Sequence, residues 1–356
     1  MTGENLIRID NSGDQTRFPW LGTYQLSRLE NQLLLDGLRH FQTFTDGQFP
    51  KDVARQSLLA RIAADKSIAQ AAPGLYRLID KVRADLVDGI YVTNLPTEKS
   101  ITHLLLLTLS SLIGSVFNYV SENSGRLVME IASDPSEPDY HDAEFDWRTE
   151  GAGIARERRP EWISLIGVEN TPGSYTAYAP IKPVEQTLSS HAKAWLHSPS
   201  ASFRSPSSSA LGRMTWTTPR AVLSQTPVGR TEIAWPGDAV RPAQPDDALG
   251  AGALAELSSE IRRQQARVSI DAGCFLAFNN LRGVHRQANA GGYCLRYKTY
   301  ARHSLRALQV QGESGPIFSL SEAGACRQDP ANFQHRHGNG RGPDSRIFAP
   351  ANDDVA

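Results

Sequence analysis

His141 lies in Pro138-Asp139-Tyr140-His141-Asp142-Ala143-Glu144-Phe145, where one imidazole stands among three carboxylates. A second histidine, His285, closes the apolar stretch Phe278-Asn279-Asn280-Leu281-Arg282-Gly283-Val284-His285, and Arg296 follows in Gly292-Tyr293-Cys294-Leu295-Arg296-Tyr297. Two imidazoles and one carboxylate on one face make a non-haem ferrous site, with positions left open for a co-substrate and oxygen. Alternate residues of a strand share a face, so the first imidazole and its carboxylate usually stand two apart, while the second imidazole comes from elsewhere. A guanidinium on a neighbouring strand is what bidentate carboxylate recognition requires.

Those residues need elements to hold them. Between Asp36 and Val87 apolar residues recur at helical spacing, as in Leu58, Leu59, Ile62 and Leu75, Leu78, Ile79, Val82, with a break near Pro73-Gly74. Gly89-Ile90-Tyr91-Val92-Thr93 reads as a short buried strand, and Leu127 to Ile131 as another. The apolar run His103 to Val120 is interrupted by Ser110, Ser111, Gly114 and Asn118, which predicts a buried helix rather than a membrane span. Beyond residue 131 short β-like runs alternate with loops: Trp162 to Val168, Tyr175 to Ala179, Val268 to Ile270, Cys274 to Phe278 and Tyr293 to Tyr300, with a helix at Ala253 to Gln265. This texture points to a sandwich or barrel. Ser198 to Ser209 and Ala239 to Gly252 read as exposed loops, and the loss of periodicity after Glu313 predicts a disordered tail over 313–356.

The 356 residues carry 37 Lys+Arg against 38 Asp+Glu, a formal net charge of −1, which excludes a strongly basic nucleic-acid binder. At 40% hydrophobic residues the body is globular, with room for a sizeable core. Cys274, Cys294 and Cys326 show no CxxC spacing, so they form neither a disulfide framework nor a cysteine zinc site. Met1 to Gln15 is polar and lacks the basic-then-apolar order of a signal peptide, which predicts a cytoplasmic protein.

A helical start, the strand GIYVTNLP, the segment SENSGRLVMEI, the His-acid cluster, NNLRGVHR and a later arginine follow in this order. Together, over Gly89 to Leu308, they resemble the clavaminate synthase-like iron(II)/2-oxoglutarate oxygenases, and within them the asparagine oxygenase and arginine hydroxylase group. The resemblance implies a mainly β fold with N-terminal helices, built on a distorted jelly roll (a double-stranded β-helix) that holds iron at its open end. It divides the chain into a helical region over 1–88, an oxygenase core over 89–312 with inserted loops at 146–159 and 186–266, and the tail. It implies a 2-oxoglutarate-dependent dioxygenase using Fe(II) and O2 to hydroxylate or desaturate a free L-amino acid or close derivative, as in antibiotic biosynthesis and other specialised metabolism. Residue by residue, it makes His141 and His285 iron ligands and Arg296 the partner of the distal 2-oxoglutarate carboxylate. Thr176, in Gly173-Ser174-Tyr175-Thr176, shares that carboxylate, and Glu122, in Ser121-Glu122-Asn123-Ser124-Gly125, holds the substrate's α-ammonium group.

The family's pattern is His-x-Asp or His-x-Glu, whereas Ala143 stands two residues after His141. Three readings follow. The third ligand is Glu144, reaching back one position, or Asp142. Alternatively His-x-Ala works as it stands, as in related iron/2-oxoglutarate halogenases where chloride takes the carboxylate's place. Finally, the site has lost its iron and the chain is a non-catalytic ligand-binding jelly roll.

Overall fold

The helical periodicity of the first third becomes Arg28–Thr43, Val53–Ala63 with a π-helical continuation over Ala64–Ile68, and Pro73–Arg83. The proline opens its helix in the first turn, where its missing N–H costs nothing. The computed structural model describes residues 6–7, 18–43, 53–118, 126–133, 147–171, 174–204, 216–288 and 293–303. Glu122, His141, Asp142, Ala143, Glu144 and the tail 313–356 lie outside them. The apolar run at 103–120 splits: Lys99–Ile113 is a helix buried on nearly all sides, and Gly114 is followed by a short strand. Among the described residues no helix is long and apolar enough to cross a membrane.

Among the described residues, eleven strands form two main sheets. In chain order they are β1 (Leu6–Ile7), β2 (Leu21–Gln25), β3 (Gly89–Thr93), β4 (Ser115–Phe117), β5 (Met129–Ser133), β6 (Trp162–Asn170), β7 (Tyr175–Pro180), β8 (Ala266–Val268), β9 (Phe275–Asn279), β10 (Gly283–Ala288) and β11 (Cys294–Arg302). The larger sheet runs β2-β3-β9-β6-β11-β4, with β5 also paired to β11; the smaller runs β1-β8-β7-β10. Only β2 with β3 and β1 with β8 pair in parallel among these strands.

Strand alternation sorts the large sheet's side chains between two cores. Ile90, Val92, Ile166, Phe275 and Ala277 pack with Leu75, Leu78, Ile79 and the helix Lys99–Ile113. Their neighbours Tyr91, Ile163, Leu165, Leu276, Phe278 and Tyr300 face the other way and join Tyr178, Ala266 and Val268 of the small sheet in a second core. The functional side chains described below point into this inter-sheet space.

Three expectations are corrected. The apolar stretch Phe278 to His285 is not one element: it holds the end of β9 and the start of β10, joined by a turn at 280–282 that carries the chain from the large sheet to the small one. The turn forms because Asn279 Oδ1 accepts from the backbone N–H of Leu281 and Arg282. Within Ser198 to Ser209, Ala201–Phe203 is a fully buried strand paired with Val240–Pro242, since Ala201 and Phe203 have an apolar satellite core to join. Within Ala239 to Gly252 the helix Ala248–Arg263 already begins, capped by the Asp247 carboxylate accepting from Gly250 N–H.

Candidate active site

His285 sits within β10, buried, its ring 5.0 Å from that of Phe278. Across the strand pair its partner is Tyr178, and Thr176 stands two residues along the same face of β7. On the free edge of β10, Arg148 lies opposite His285: Arg148 N–H donates to His285 O at 3.0 Å and His285 N–H to Arg148 O at 2.9 Å. Thr149 N–H then donates to Trp235 O at 2.7 Å, and the Asn280 side chain brackets the next residue. Asn280 Oδ1 accepts from Glu150 N–H at 2.8 Å, and its Nδ2 donates to Glu150 O at 3.0 Å and Pro160 O at 2.9 Å.

This scaffolding turns the Glu150 carboxylate inward. Its Oε1 lies 3.6 Å from His285 Nε2, 3.5 Å from Lys298 Nζ and 3.5 Å from Arg148 Nη2. Burial alone would push the Glu150 carboxyl up, but Lys298, the His285 imidazole and Arg148 together hold it well below the usual carboxylate range. Burial pushes the His285 imidazole down, and Glu150 offsets only part of that effect. The pair is therefore an anionic carboxylate beside a neutral imidazole, the protonation states in which both donate lone pairs to a metal.

The second half of the site lies on β11. Arg296, Lys298 and Tyr300 share one face, with Lys298 Nζ donating to Tyr300 Oη at 3.0 Å. Arg296 is 1% exposed, and its Nη1 donates to Thr176 Oγ1 at 3.0 Å across the gap between the sheets. Its Nε and Nη2 are buried with no hydrogen-bond partner among the described residues. Burial lowers the guanidinium's affinity for its proton, the mark of a cation whose charge is not fully compensated. Gly167, directly across from Arg296, has no room for a side chain: a Cβ would lie 2.2 Å from Asp271 O and 2.4 Å from Ile270 O.

Comparison of the whole fold finds similar solved structures. An asparagine oxygenase in complex with Fe(II), 2S,3S-3-hydroxyasparagine and succinate superposes with a TM-score of 0.68 at 19% identity, over 83% of this chain and 98% of that one. The chain has the fold of the non-haem iron oxygenases. OrfP, a non-haem iron oxygenase, matches over 83% of this chain in complex with Fe and alpha-ketoglutaric acid (TM-score 0.67, 15% identity, 99% of that chain) and with Fe and L-Arg (0.66, 16%, 98%). No protein-family model and no curated protein matches the sequence.

On this fold three of the residues singled out from sequence, His285, Arg296 and Thr176, face the same space between the two sheets. Glu122, His141, Asp142 and Glu144 fall outside the described residues. Sequence reasoning passed over Glu150, Lys298 and Arg148. Arg148-Thr149-Glu150 has the two-residue spacing expected of an imidazole and its acid, with arginine in the first place, but it lies in the stretch 146–159 read as an inserted loop. Among the described residues no group of three or more His, Cys, Asp or Glu gathers as a metal cluster.

Proposed function

We propose that this protein is an iron(II)/2-oxoglutarate-dependent oxygenase that hydroxylates or desaturates a free L-amino acid or close derivative, a cytoplasmic enzyme of specialised metabolism. The reading rests above all on Arg296, whose buried Nε and Nη2 have no hydrogen-bond partner among the described residues while Thr176 holds Nη1. A carboxylate is the group that satisfies two parallel guanidinium N–H donors, and a buried cation needs such an anion. The two sheets, crossed by the chain at 280–282, are read as a distorted jelly roll.

In this reading Arg296 and Thr176 hold the distal carboxylate of 2-oxoglutarate and so orient its 2-oxo acid end toward His285. His285 Nε2 and Glu150 Oε1 are two donors for iron, with His141 as the second imidazole and Asp142 or Glu144 as the alternative carboxylates. Iron, when bound, supplies the activation of O2 that is coupled to oxidative decarboxylation of the co-substrate. Phe278, whose ring lies 5.0 Å from that of His285, sets apolar surface beside the imidazole. Glu122 is the proposed partner of the substrate's α-ammonium group, and the bound hydroxyasparagine and L-Arg of the fold neighbours motivate an amino-acid substrate.

The test is an anaerobic titration of Fe(II) and 2-oxoglutarate into the protein, following the visible charge-transfer band of the chelate. A band in wild type that is lost in Arg296→Ala and His285→Ala is expected; a folded wild type without a band overturns the reading. Product masses then separate hydroxylation from chloride-dependent halogenation, the outcome that His-x-Ala at 141–143 would favour. One observation favours a different class: Lys298 and Arg148 already neutralise Glu150. A non-catalytic dicarboxylate-binding protein would bind 2-oxoglutarate through Arg296 without taking up stoichiometric iron.

A further inference from the structure

On the helix-covered side of the large sheet, a cavity of about 270 Å³ opens beside the edge strand β4. The helices Val53–Ala63, Pro73–Arg83 and Lys99–Ile113 and the end of β11 meet there. Its polar lining is Ser57, Arg61, Arg83, Ser111, Ser115 and His303, and among the described residues no Asp or Glu lines it. Ser111 Oγ and His303 Nε2 are buried with no hydrogen-bond partner among the described residues, a costly state for polar atoms. Burial pushes the His303 imidazole down; Glu161, Asp85 and a hydrogen bond to the Ile113 carbonyl offset part of that, and Arg83 adds to it. A neutral imidazole that donates through one nitrogen accepts through the other, so Nε2 presents a lone pair.

The end of a helix that carries carbonyls repels anions, but here those carbonyls are engaged. Arg83 Nε donates to Leu112 O at 2.8 Å, Gly114 N–H to Ser110 O at 3.0 Å, and Ile113 O is held by the imidazole. Two acids beside these residues are engaged as well: Asp80 Oδ1 lies 3.5 Å from Arg83 Nη1, and Glu161 accepts from the His303 backbone N–H at 2.6 Å.

We propose that this cavity is a binding site for a phosphate group. Two guanidiniums, three hydroxyls and an imidazole reach it from separate elements, which suits a tetrahedral anion with four oxygens. A planar carboxylate is satisfied by one guanidinium fork and leaves the remaining donors idle. A phosphate also titrates near neutrality, so it presents an O–H to the lone pair of His303 as well as oxygens to the arginines, which an ionised carboxylate does not. The site is independent of the oxygenase reading: Leu112, Ile113 and Val116 of its lining belong to the helix-side core, whereas Arg296 reaches toward Thr176 on the small sheet.

The experiment is calorimetric titration of inorganic phosphate into the full chain carrying Arg296→Ala, which removes the anion-binding group of the inter-sheet pocket. One equivalent of phosphate is expected to bind. Adding Arg61→Gln should weaken it about tenfold through loss of a charge-assisted contact, and adding Ser111→Ala about threefold. Both positions are substituted without opening the core, since Arg61 is exposed and Ser111 partly so. Glycerol 3-phosphate then identifies the source: tighter binding than inorganic phosphate marks a phosphate ester as the ligand, weaker binding the free anion. Absence of phosphate binding in the folded Arg296→Ala protein overturns the inference. So does an affinity unchanged by both Arg61→Gln and Ser111→Ala, or acetate binding as tightly as phosphate. The oxygenase reading fails separately, by absence of Arg296-dependent 2-oxoglutarate binding, which these titrations do not probe.

Discussion

Arg148 and His285 exchange both of their backbone hydrogen bonds, a single antiparallel bridge that lays the chain at Arg148 against β10. Directly opposed residues of an antiparallel pair share a face. Arg148 therefore stands beside the imidazole, and Glu150, two residues on, turns into the same space. The pairing determines which acid faces His285, and it does so through backbone geometry that side-chain chemistry alone does not reveal.

Truncating the anion-binding arginine should cripple co-substrate binding. Arg296→Ala removes a buried, charge-assisted pair of donors, an effect of about 2–5 kcal/mol, so 2-oxoglutarate affinity should fall by a factor of roughly 30 or more. Thr176→Val loses a single hydroxyl contact and should cost about tenfold at most. Calorimetric titration of 2-oxoglutarate checks both, and equal losses in the two variants would contradict the roles assigned here.

The pH dependence has a fixed sign. Burial lowers the imidazole pKa of His103, His285 and His303, so each takes up protons more readily in the unfolded chain. Stability is then level above the unfolded value of about 6.5 and declines as pH falls from there toward each folded value, by at most about 1.4 kcal/mol per pH unit per histidine. Glu150 adds to the decline at lower pH: its depressed carboxyl stabilises above about 4.3, and that contribution disappears as pH drops through the folded value. Urea unfolding of the metal-free protein between about pH 7.5 and 5 should show this slope, and His285→Gln should reduce it. An undiminished slope in that variant would place the titration elsewhere.

Much of the scaffold was legible in the sequence because central strands and buried helices leave continuous or periodic apolar runs. Gly89–Thr93 has its expected bounds, and Trp162–Asn170 and Tyr175–Pro180 extend theirs by a residue or two. His285, Arg296 and Thr176 were legible through the resemblance, because the motifs that carry them follow one another in the family's order along the chain. Glu150 was not, because its strand is a two-bond edge segment among Arg, Thr, Glu and Gly, where composition signals a loop. Ala201–Phe203 was hidden in the same way, its two apolar residues surrounded by serine and proline whose packing partners lie far along the chain.

Gly167 can be tested as a spacing residue. A methyl group there would meet backbone rather than a movable side chain. Gly167→Ala should destabilise the fold by about 1–3 kcal/mol. Because Gly167 lies opposite Arg296, the same variant should also weaken 2-oxoglutarate binding, as calorimetry would register. Wild-type stability and affinity together would show that the strands give way freely.

Asn280→Ala removes three hydrogen bonds from a side chain with no exposure, and should cost about 3 kcal/mol in urea unfolding. Its loss of affinity for Co(II), as a stand-in for Fe(II), should exceed that of a distant core variant of equal stability loss, since Glu150 loses its bracket. Equal metal binding in the two would assign Asn280 to stability alone.

That bracket has a mechanical consequence. Asn280 belongs to the turn that leads directly into β10, so the amide gripping Glu150 and the strand bearing His285 are parts of one short length of chain. When the two sheets breathe against each other, carboxylate and imidazole travel as a single body and keep their separation. Arg296, on the opposite sheet, is tied to that side through its hydrogen bond to Thr176 and, two residues on, through the contact of Lys298 with Glu150. The two sides of the site are therefore carried by different sheets, and in the proposed reading the span between them sets the length of dicarboxylate that fits.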